Sequence, residues 1–396
     1  MEKLELEITR ELTGNILPFW MDRMQDPSGG FYGRIDGKGR VFPEEEKGAI
    51  LNARILWTFS SAWRILRDRR YLETAGKAWQ YISSHFIDRE FGGVFWSLHS
   101  DGSPKDSKKQ FYAIAFTIYA LAEYYRACGD SAALNEAVGL YRCIESHSLD
   151  KTHGGYLEAC TRNWGAIDDM RLSDKDKNDA KTMNTHLHIL EAYTGLYRVW
   201  PDKGLAAALK NTIELFLGRI IGGKGHLGLF FDEKWNADSS ACSYGHDIEA
   251  SWLLCEAAEV LGDEKLLHDV RKISGDIALA SLEGFSPESG MEYEYDPATG
   301  LRNGCRDWWV QAETVVGCLN QFQLTGDPLW KERALAEWDF IKKHIICPDG
   351  EWYWGVIPEG DGFKADTVND RAGFWKCPYH NGRMCMEIIE RFQKKS

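Results

Sequence analysis

Six short segments joining glycine to aromatic or large apolar residues punctuate this chain. They are Gly29-Gly30-Phe31-Tyr32-Gly33, Gly92-Gly93-Val94-Phe95-Trp96, Gly154-Gly155-Tyr156-Leu157-Glu158, Gly225-His226-Leu227-Gly228-Leu229-Phe230-Phe231, Gly290-Met291-Glu292-Tyr293-Glu294-Tyr295 and Gly350-Glu351-Trp352-Tyr353-Trp354. Their spacing of roughly 60 to 70 residues is the length of two helices with connections. Each reads as a turn followed by a short extended piece. Between them, apolar residues recur at helical spacing over 49–66, 71–86, 112–125, 132–144, 182–199, 205–220, 244–261, 266–280, 309–324 and 329–345. A first helix over about 4–24 and a last over about 381–392 bring the expected number to twelve.

A helix pair of this kind cannot bury its own apolar face, so neighbouring pairs must stack. Six such hairpins can close into a ring. The expected fold is all-α, an (α/α)6 barrel of twelve helices with short β-hairpins at one end, in a single domain over 1–396. An open superhelix of helix pairs has the same periodicity and is separated only by closure. No Pro/Ser-rich linker divides the chain. The longest polar connection, 171–178, precedes the helix carrying Asn184, where it can form a rim over a pocket.

A net charge of −13 argues against nucleic acid or an anionic membrane as the main partner, since both call for a basic surface. The first ten residues, Met1 to Arg10, carry no signal-peptide pattern, and no apolar run approaches the roughly 20 residues of a membrane span. Ten scattered cysteines without a Cys-x-x-Cys pair read as reduced thiols, and the expected location is cytoplasmic. Sixteen Trp, sixteen Tyr and eighteen Phe exceed what a core of this size requires. Aromatic faces suit sugar rings, whose axial C–H groups stack on them.

Titratable residues stand inside these apolar helices. His246 and Glu249 lie three apart near the start of the helix over 244–261, so the carboxylate is expected to orient the imidazole. A buried, satisfied histidine is the plainer explanation. Asn184, His188 and Glu191 share a face of the helix over 182–199, with His186 off it; residues two apart on a helix do not converge on one ion, so a metal site is not expected. Arg54, inside a strongly apolar helix, needs acidic or oxygen-rich partners and is suited to hold a developing oxyanion, unless it serves as a salt bridge between repeats. Trp309 and Glu313 set an aromatic plate one turn from a carboxylate. His380 follows Pro378 near the start of the last helix, where the helix dipole favours a neutral imidazole able to accept a proton.

The motifs Lys181-Thr-Met-Asn-Thr-His-Leu-His188, Ser243-Tyr-Gly-His-Asp-Ile-Glu-Ala-Ser-Trp252, Trp308-Trp-Val-Gln-Ala-Glu313 and Trp375-Lys-Cys-Pro-Tyr-His-Asn-Gly-Arg383 together resemble the N-acylglucosamine 2-epimerase superfamily, and within it the cellobiose 2-epimerases. The resemblance runs the whole length. Mannobiose 2-epimerases share the pattern, so the disaccharide stays open among cellobiose, lactose and mannobiose. The resemblance implies acid/base roles for His246 and His380, an essential His188, an oxygen-binding Arg54 and a Glu249 paired with His246. It implies further pocket roles for Asn184, Trp252, Trp309 and Glu313, with Trp375 as platform for the second sugar. Tyr112 and Asp176 are placed by spacing only. No metal or nucleotide cofactor is expected, and the enzyme would be a monomer or weak homodimer. The implied reaction opens the reducing-end ring, removes the C2 proton to a cis-enediolate, and reprotonates the opposite face. Two near-neutral bases fit that demand. Aldose–ketose isomerisation differs only in returning the proton to C1. A glycoside hydrolase would use Glu249 and Glu313 on either side of a bond. A sugar-binding repeat protein would leave the titratable cluster unexplained.

Overall fold

A computed structural model describes residues 1–393; the last three residues of the expected domain, 394–396, lie outside the described residues. Twelve helices follow in order among the described residues. The first, α1, runs over Glu2–Glu11 and continues through a wider turn at Leu12–Ile16 into Leu17–Arg23. Then come α2 (Ala49–Leu66), α3 (Arg69–Tyr81), α4 (Phe111–Cys128), α5 (Ser131–His147), α6 (Met183–Tyr197) and α7 (Lys203–Leu215). The chain ends with α8 (Tyr244–Leu261), α9 (Glu264–Ser281), α10 (Trp308–Thr325), α11 (Pro328–Phe340) and α12 (His380–Gln393).

The even-numbered helices form the inner ring. Each packs on the next, and α12 returns to α2. That contact closes the circle and excludes the open superhelix. The odd-numbered helices lie outside, each against an inner partner, with α1 on α12. Burial follows the layers. In α2, every residue from Ala49 to Ala62 is buried, whereas α3 buries only one stripe including Tyr71, Ala75 and Ala78. No helix is long and apolar enough to cross a membrane among the described residues.

The two ends of the barrel are built differently. At one end, inner helix turns into outer helix within a few residues. Gly129, Gly262 and Gly326 take left-handed φ values of 76°, 76° and 72° directly after α4, α8 and α10, a conformation glycine adopts without steric cost. An aspartate then caps the next helix: Asp68, Asp130, Asp202, Asp263 and Asp327 each accept a backbone N–H of the first turn. At the other end the six Gly-plus-aromatic segments fold as expected. Each reverses the chain through a small antiparallel contact: Gln25 with Phe31, Ile87 with Val94, Leu149 with Tyr156, Ile221 with Leu227, Phe285 with Met291 and Ile346 with Trp352.

Five of these reversals are fixed by an ion pair that the periodicity does not announce. Lys47, Lys109 and Lys181 stand two residues before α2, α4 and α6, and reach Asp26, Asp88 and Asp150 in their own repeat's reversal at 2.6, 2.8 and 2.7 Å. Lys376, ahead of α12, is 2.7 Å from Glu351, both fully buried. The repeat leading into α8 has Gly222 and Cys242 at the corresponding places and uses His226 on Asp247 instead, at 2.7 Å.

Candidate active site

All six inner helices begin at the reversal end, and a cavity of about 660 Å³ opens there. Many of its lining groups come from first or second turns: Tyr112 of α4, Asn184 and His188 of α6, His246 and Glu249 of α8, Trp308 and Trp309 of α10, and His380 of α12. The amino ends of these helices therefore point their unpaired N–H groups and positive dipole ends toward one volume, a setting that favours negative charge. The rim includes Met170 to Lys177, the polar connection expected to stand over a pocket.

The two acid–base candidates, on α8 and α12, meet here. His246 and His380 both border the cavity and both lie against the ring of Trp309, with ring centroids 4.7 and 5.7 Å from it. His380 Nδ1 is 2.7 Å from Glu313 Oε1. A carboxylate accepts, so Nδ1 carries the proton and Nε2 keeps its lone pair. Burial, with the cations Arg54 and Arg383 nearby, holds this imidazole well below its ordinary pKa. His188 is arranged alike, its Nδ1 2.9 Å from Glu191 Oε2, and burial lowers it too. His186 is fully used by structure, with Nδ1 on the Thr182 carbonyl at 2.7 Å and Nε2 accepting from Tyr156 N–H at 2.9 Å.

The expected pairing of His246 with Glu249 does not form. His246 Nδ1 is 2.7 Å from the Ser243 hydroxyl, and burial pulls the imidazole down to about 3. Glu249 turns instead to Arg383, accepting from Nη2 at 2.6 Å. Residues three apart share a helix face, but His246 sits in the first turn, where the preceding strand supplies a nearer partner. Arg54 also departs from expectation. It has no carboxylate: Nη2 donates to the Tyr112 hydroxyl at 3.0 Å, and the guanidinium lies over Phe116 and Tyr379 at 4.1 and 4.8 Å. It borders the cavity with no carboxylate among its hydrogen-bond partners, which excludes the salt-bridge alternative.

Trp309, Trp375, Asn184, Tyr112 and Asp176 all border the cavity. Asp176 spends one oxygen on its own loop, accepting from Ser173 N–H and Oγ at 2.9 and 2.8 Å. Trp252 and Glu313, expected at the pocket surface, lie behind its wall. Glu313 accepts from Trp252 Nε1 at 3.0 Å and holds His380 from the rear. A hydrolase pair of Glu249 and Glu313 is thereby excluded, because both carboxylates grip one nitrogen, Arg383 Nη2, each at 2.6 Å, and cannot flank a glycosidic bond. That guanidinium also occupies the space where Glu249, Glu313 and His380 could otherwise gather round a metal ion.

Sequence reasoning missed Arg383 as the hub of this layer. It bonds Glu191 and Tyr379 through Nη1 as well, and so ties together the carboxylates behind His188 and His380. The signal was a lone arginine in the apolar run Met384-Cys385-Met386, one turn after His380. Ser243 and the buried cavity residue Glu158 were missed too. Glu158 accepts from Thr182 N–H and Thr185 Oγ1 at 2.8 and 2.6 Å, and burial pushes its carboxyl up to about 8.

A closed ring of six helix pairs thus carries imidazoles, a guanidinium without a carboxylate partner and tryptophan faces at one mouth, the architecture of an (α/α)6 barrel. Residues 30–375 match the family model for N-acylglucosamine 2-epimerase (GlcNAc 2-epimerase). The chain is 53% identical over 391 residues to the cellobiose 2-epimerase of Bacteroides fragilis, covering 98% of this chain and 99% of that one. It is 41% identical over 392 residues to the cellobiose 2-epimerase of Ruminococcus albus, covering 97% and 98%. The solved cellobiose 2-epimerase of Bacillus thermoamylovorans superposes with a TM-score of 0.94 at 38% identity, covering 99% of this chain and all of that one. The chain belongs to the N-acylglucosamine 2-epimerase family. It is an epimerase, and its substrate is a carbohydrate.

Proposed function

We propose that this enzyme inverts C2 of the reducing-end sugar of a β-1,4-linked disaccharide, with cellobiose first and lactose and mannobiose as further candidates. The observation that carries this reading is the convergence of His246 and His380 on one cavity, each against Trp309. An acid–base pair divided between two helix ends can serve the two faces of one carbon. Trp375, half-buried at the border of the cavity, offers a ring for the second sugar.

The steps follow from the groups. His380, with Nε2 unprotonated, assists ring opening by proton transfer at O1 and O5. The aldehyde at C1 then acidifies C2–H. One imidazole takes that proton at its free nitrogen and becomes imidazolium. The other, having first taken a proton from solvent at its free nitrogen, gives it to the opposite face of the planar enediolate. Exchange with water returns both to the neutral state, His246 abstracting in one direction and His380 in the other. Arg54, His188 and the surrounding helix amino ends stabilise charge on O1 and O2. Losing one such contact costs about 3 kcal/mol of barrier lowering. All of these groups come from one chain, so a monomer suffices, and a cytoplasmic setting accords with the reduced thiols.

The test is incubation with cellobiose, and separately with mannobiose, in deuterated water without added cofactor, followed by NMR. A C2-deuterated epimer is expected. A ketose would make the enzyme an isomerase, two monosaccharides a hydrolase, and no product a binding protein.

A further inference from the structure

Beneath the cavity three carboxylates share one guanidinium. Arg383 Nη2 is 2.6 Å from Glu249 Oε1 and from Glu313 Oε1, and Nη1 bonds Glu191. Glu191 and Glu313 have both oxygens occupied by donors, Glu191 through Arg383 and His188, Glu313 through Arg383, His380 and Trp252. Glu249 differs in two ways. Its Oε2 is buried without a partner in the protein, and of the three it alone borders the cavity.

The charges facing Glu249 do not balance. Arg54 comes from α2 and Tyr112 from α4. His188 and Glu191 come from α6, His246 from α8 itself, Glu313 from α10, Tyr379 from the residue before α12, and His380 and Arg383 from α12. The imidazoles are neutral, so two guanidinium groups meet three carboxyls. Buried charge without a counter-charge is costly, and one proton on a carboxyl brings the cluster to neutrality. The unpartnered oxygen is where a proton can sit without displacing a donor.

We propose that Glu249 is a neutral carboxylic acid in the resting enzyme, and that its Oε2–H donates a hydrogen bond to the sugar oxygen that becomes an oxyanion as the C2 proton leaves. The hydrogen bond shortens as charge develops, but the proton stays on Glu249; the C2 proton goes to a histidine. Desolvation and the neighbouring Glu313 charge, outweighing Arg383, push Glu249 up to about 8, in keeping with this state. The inference rests on the epimerase reading above, and it turns a presumed helper of His246 into a group that touches substrate.

The experiment compares kcat against pH for wild type, Glu249→Gln and Glu249→Ala. Ionisation would exchange a donor for a second negative charge beside the enediolate, so wild-type kcat should fall above about pH 8. Glu249→Gln keeps an N–H donor that does not ionise. It should lose about tenfold at neutral pH, an amide being the weaker donor, and its alkaline decline should vanish. Glu249→Ala should lose about 10³-fold. A Gln variant as slow as Ala, with the alkaline decline intact, would overturn the proposal in favour of an ionised carboxylate. Should the Gln variant fail to fold by thermal melting, the wild-type profile alone decides: a rate that does not fall above pH 8 sinks the idea. C2 deuteration by the wild type is scored separately, so failure of the epimerase reading is distinguishable from failure at Glu249.

Discussion

His246 and His380 face the same cavity from two helix ends that are built to different standards. The α12 end is rigid. Glu313 accepts from His380 Nδ1, and Lys376 and Asn381 both donate to the buried Glu351 just outside the helix. The α8 end is looser. A hydroxyl backs His246, and its repeat replaces the Lys–acid pair with His226 on Asp247. A carboxylate only accepts, so His380 has one neutral tautomer and a counter-charge ready for its imidazolium. A hydroxyl donates or accepts, so His246 can exchange tautomers at small cost. One imidazole is therefore fixed in direction and the other is adaptable, and under the proposed mechanism both would serve the same carbon.

Deleting either ring should have the largest effect. His380→Ala and His246→Ala should each lower epimerisation by about 10³- to 10⁴-fold. Their residual C2–H exchange should differ, each variant exchanging only the epimer whose proton faces the remaining histidine. A His380→Ala enzyme that exchanged both epimers at full rate would end the two-base assignment. Measurement is by deuterium incorporation into each purified epimer.

The support beneath α12 comes next. Glu351→Gln would leave Lys376 buried without its counter-charge and should cost about 3–5 kcal/mol of stability, read from urea denaturation. The corresponding His226→Gln at the α8 end should cost only about 1 kcal/mol, because an imidazole–carboxylate bond is replaced by an amide one. Equal losses would remove the contrast between rigid and loose ends. A parallel check uses Asp88. Burial alone would raise its pKa, but hydrogen bonds from Arg162 and Lys109 outweigh it and hold the carboxyl well below the usual range. A depressed carboxyl pKa contributes stability that is whole above the unfolded value, about 3.9, and is lost as pH falls toward the folded one. The stability gap between wild type and Asp88→Asn should therefore narrow on acidification below about pH 4.

Glu313→Gln probes the support of His380 itself. The amide can still accept from Nδ1–H, but no counter-charge remains for the imidazolium. A loss of about 10²-fold in kcat is expected, with KM little changed because Glu313 does not border the cavity. A matching rise in KM would place Glu313 in substrate contact and undo its reading as a positioning residue.

How much of this was legible in the sequence depends on range. The helices over 49–66 and 244–261 emerge with the expected limits, because helical periodicity is a local property and Gly262 stops the second where expected of a C-cap. Twelve helices and six reversals imply a ring, but closure lives in the contact of α12 with α2, more than 300 residues apart in number. Most residues that border the cavity could be gathered by motif; their partners could not. His246 and Glu249 are neighbours on a helix face, yet orientation is decided by Ser243 before the helix and by Arg383 from another one. His380 finds Glu313 across 67 positions. The Lys–Asp locks were readable in principle, since Lys47, Lys109 and Lys181 each stand two residues before an inner helix, but a search keyed to glycine and aromatics passes over them.

Ser243→Ala is the mildest change and tests the adaptable half of the pair. Ser243 Oγ has no partner other than His246 among its side-chain hydrogen bonds, so removing it frees Nδ1 without exposing a second group. The ring stays packed against Trp309, which limits how far it can turn. The lost hydrogen bond is worth about 1 kcal/mol, and kcat should fall by about fivefold in both directions of the reaction. If Ser243 instead locked a single tautomer, the variant would lose far more, about the 10²-fold expected of Glu313→Gln. The ratio of the two losses, measured on one substrate at one pH, therefore reports whether His246 is held or merely accompanied. A ratio near one would mean that the hydroxyl fixes its histidine as firmly as the carboxylate does.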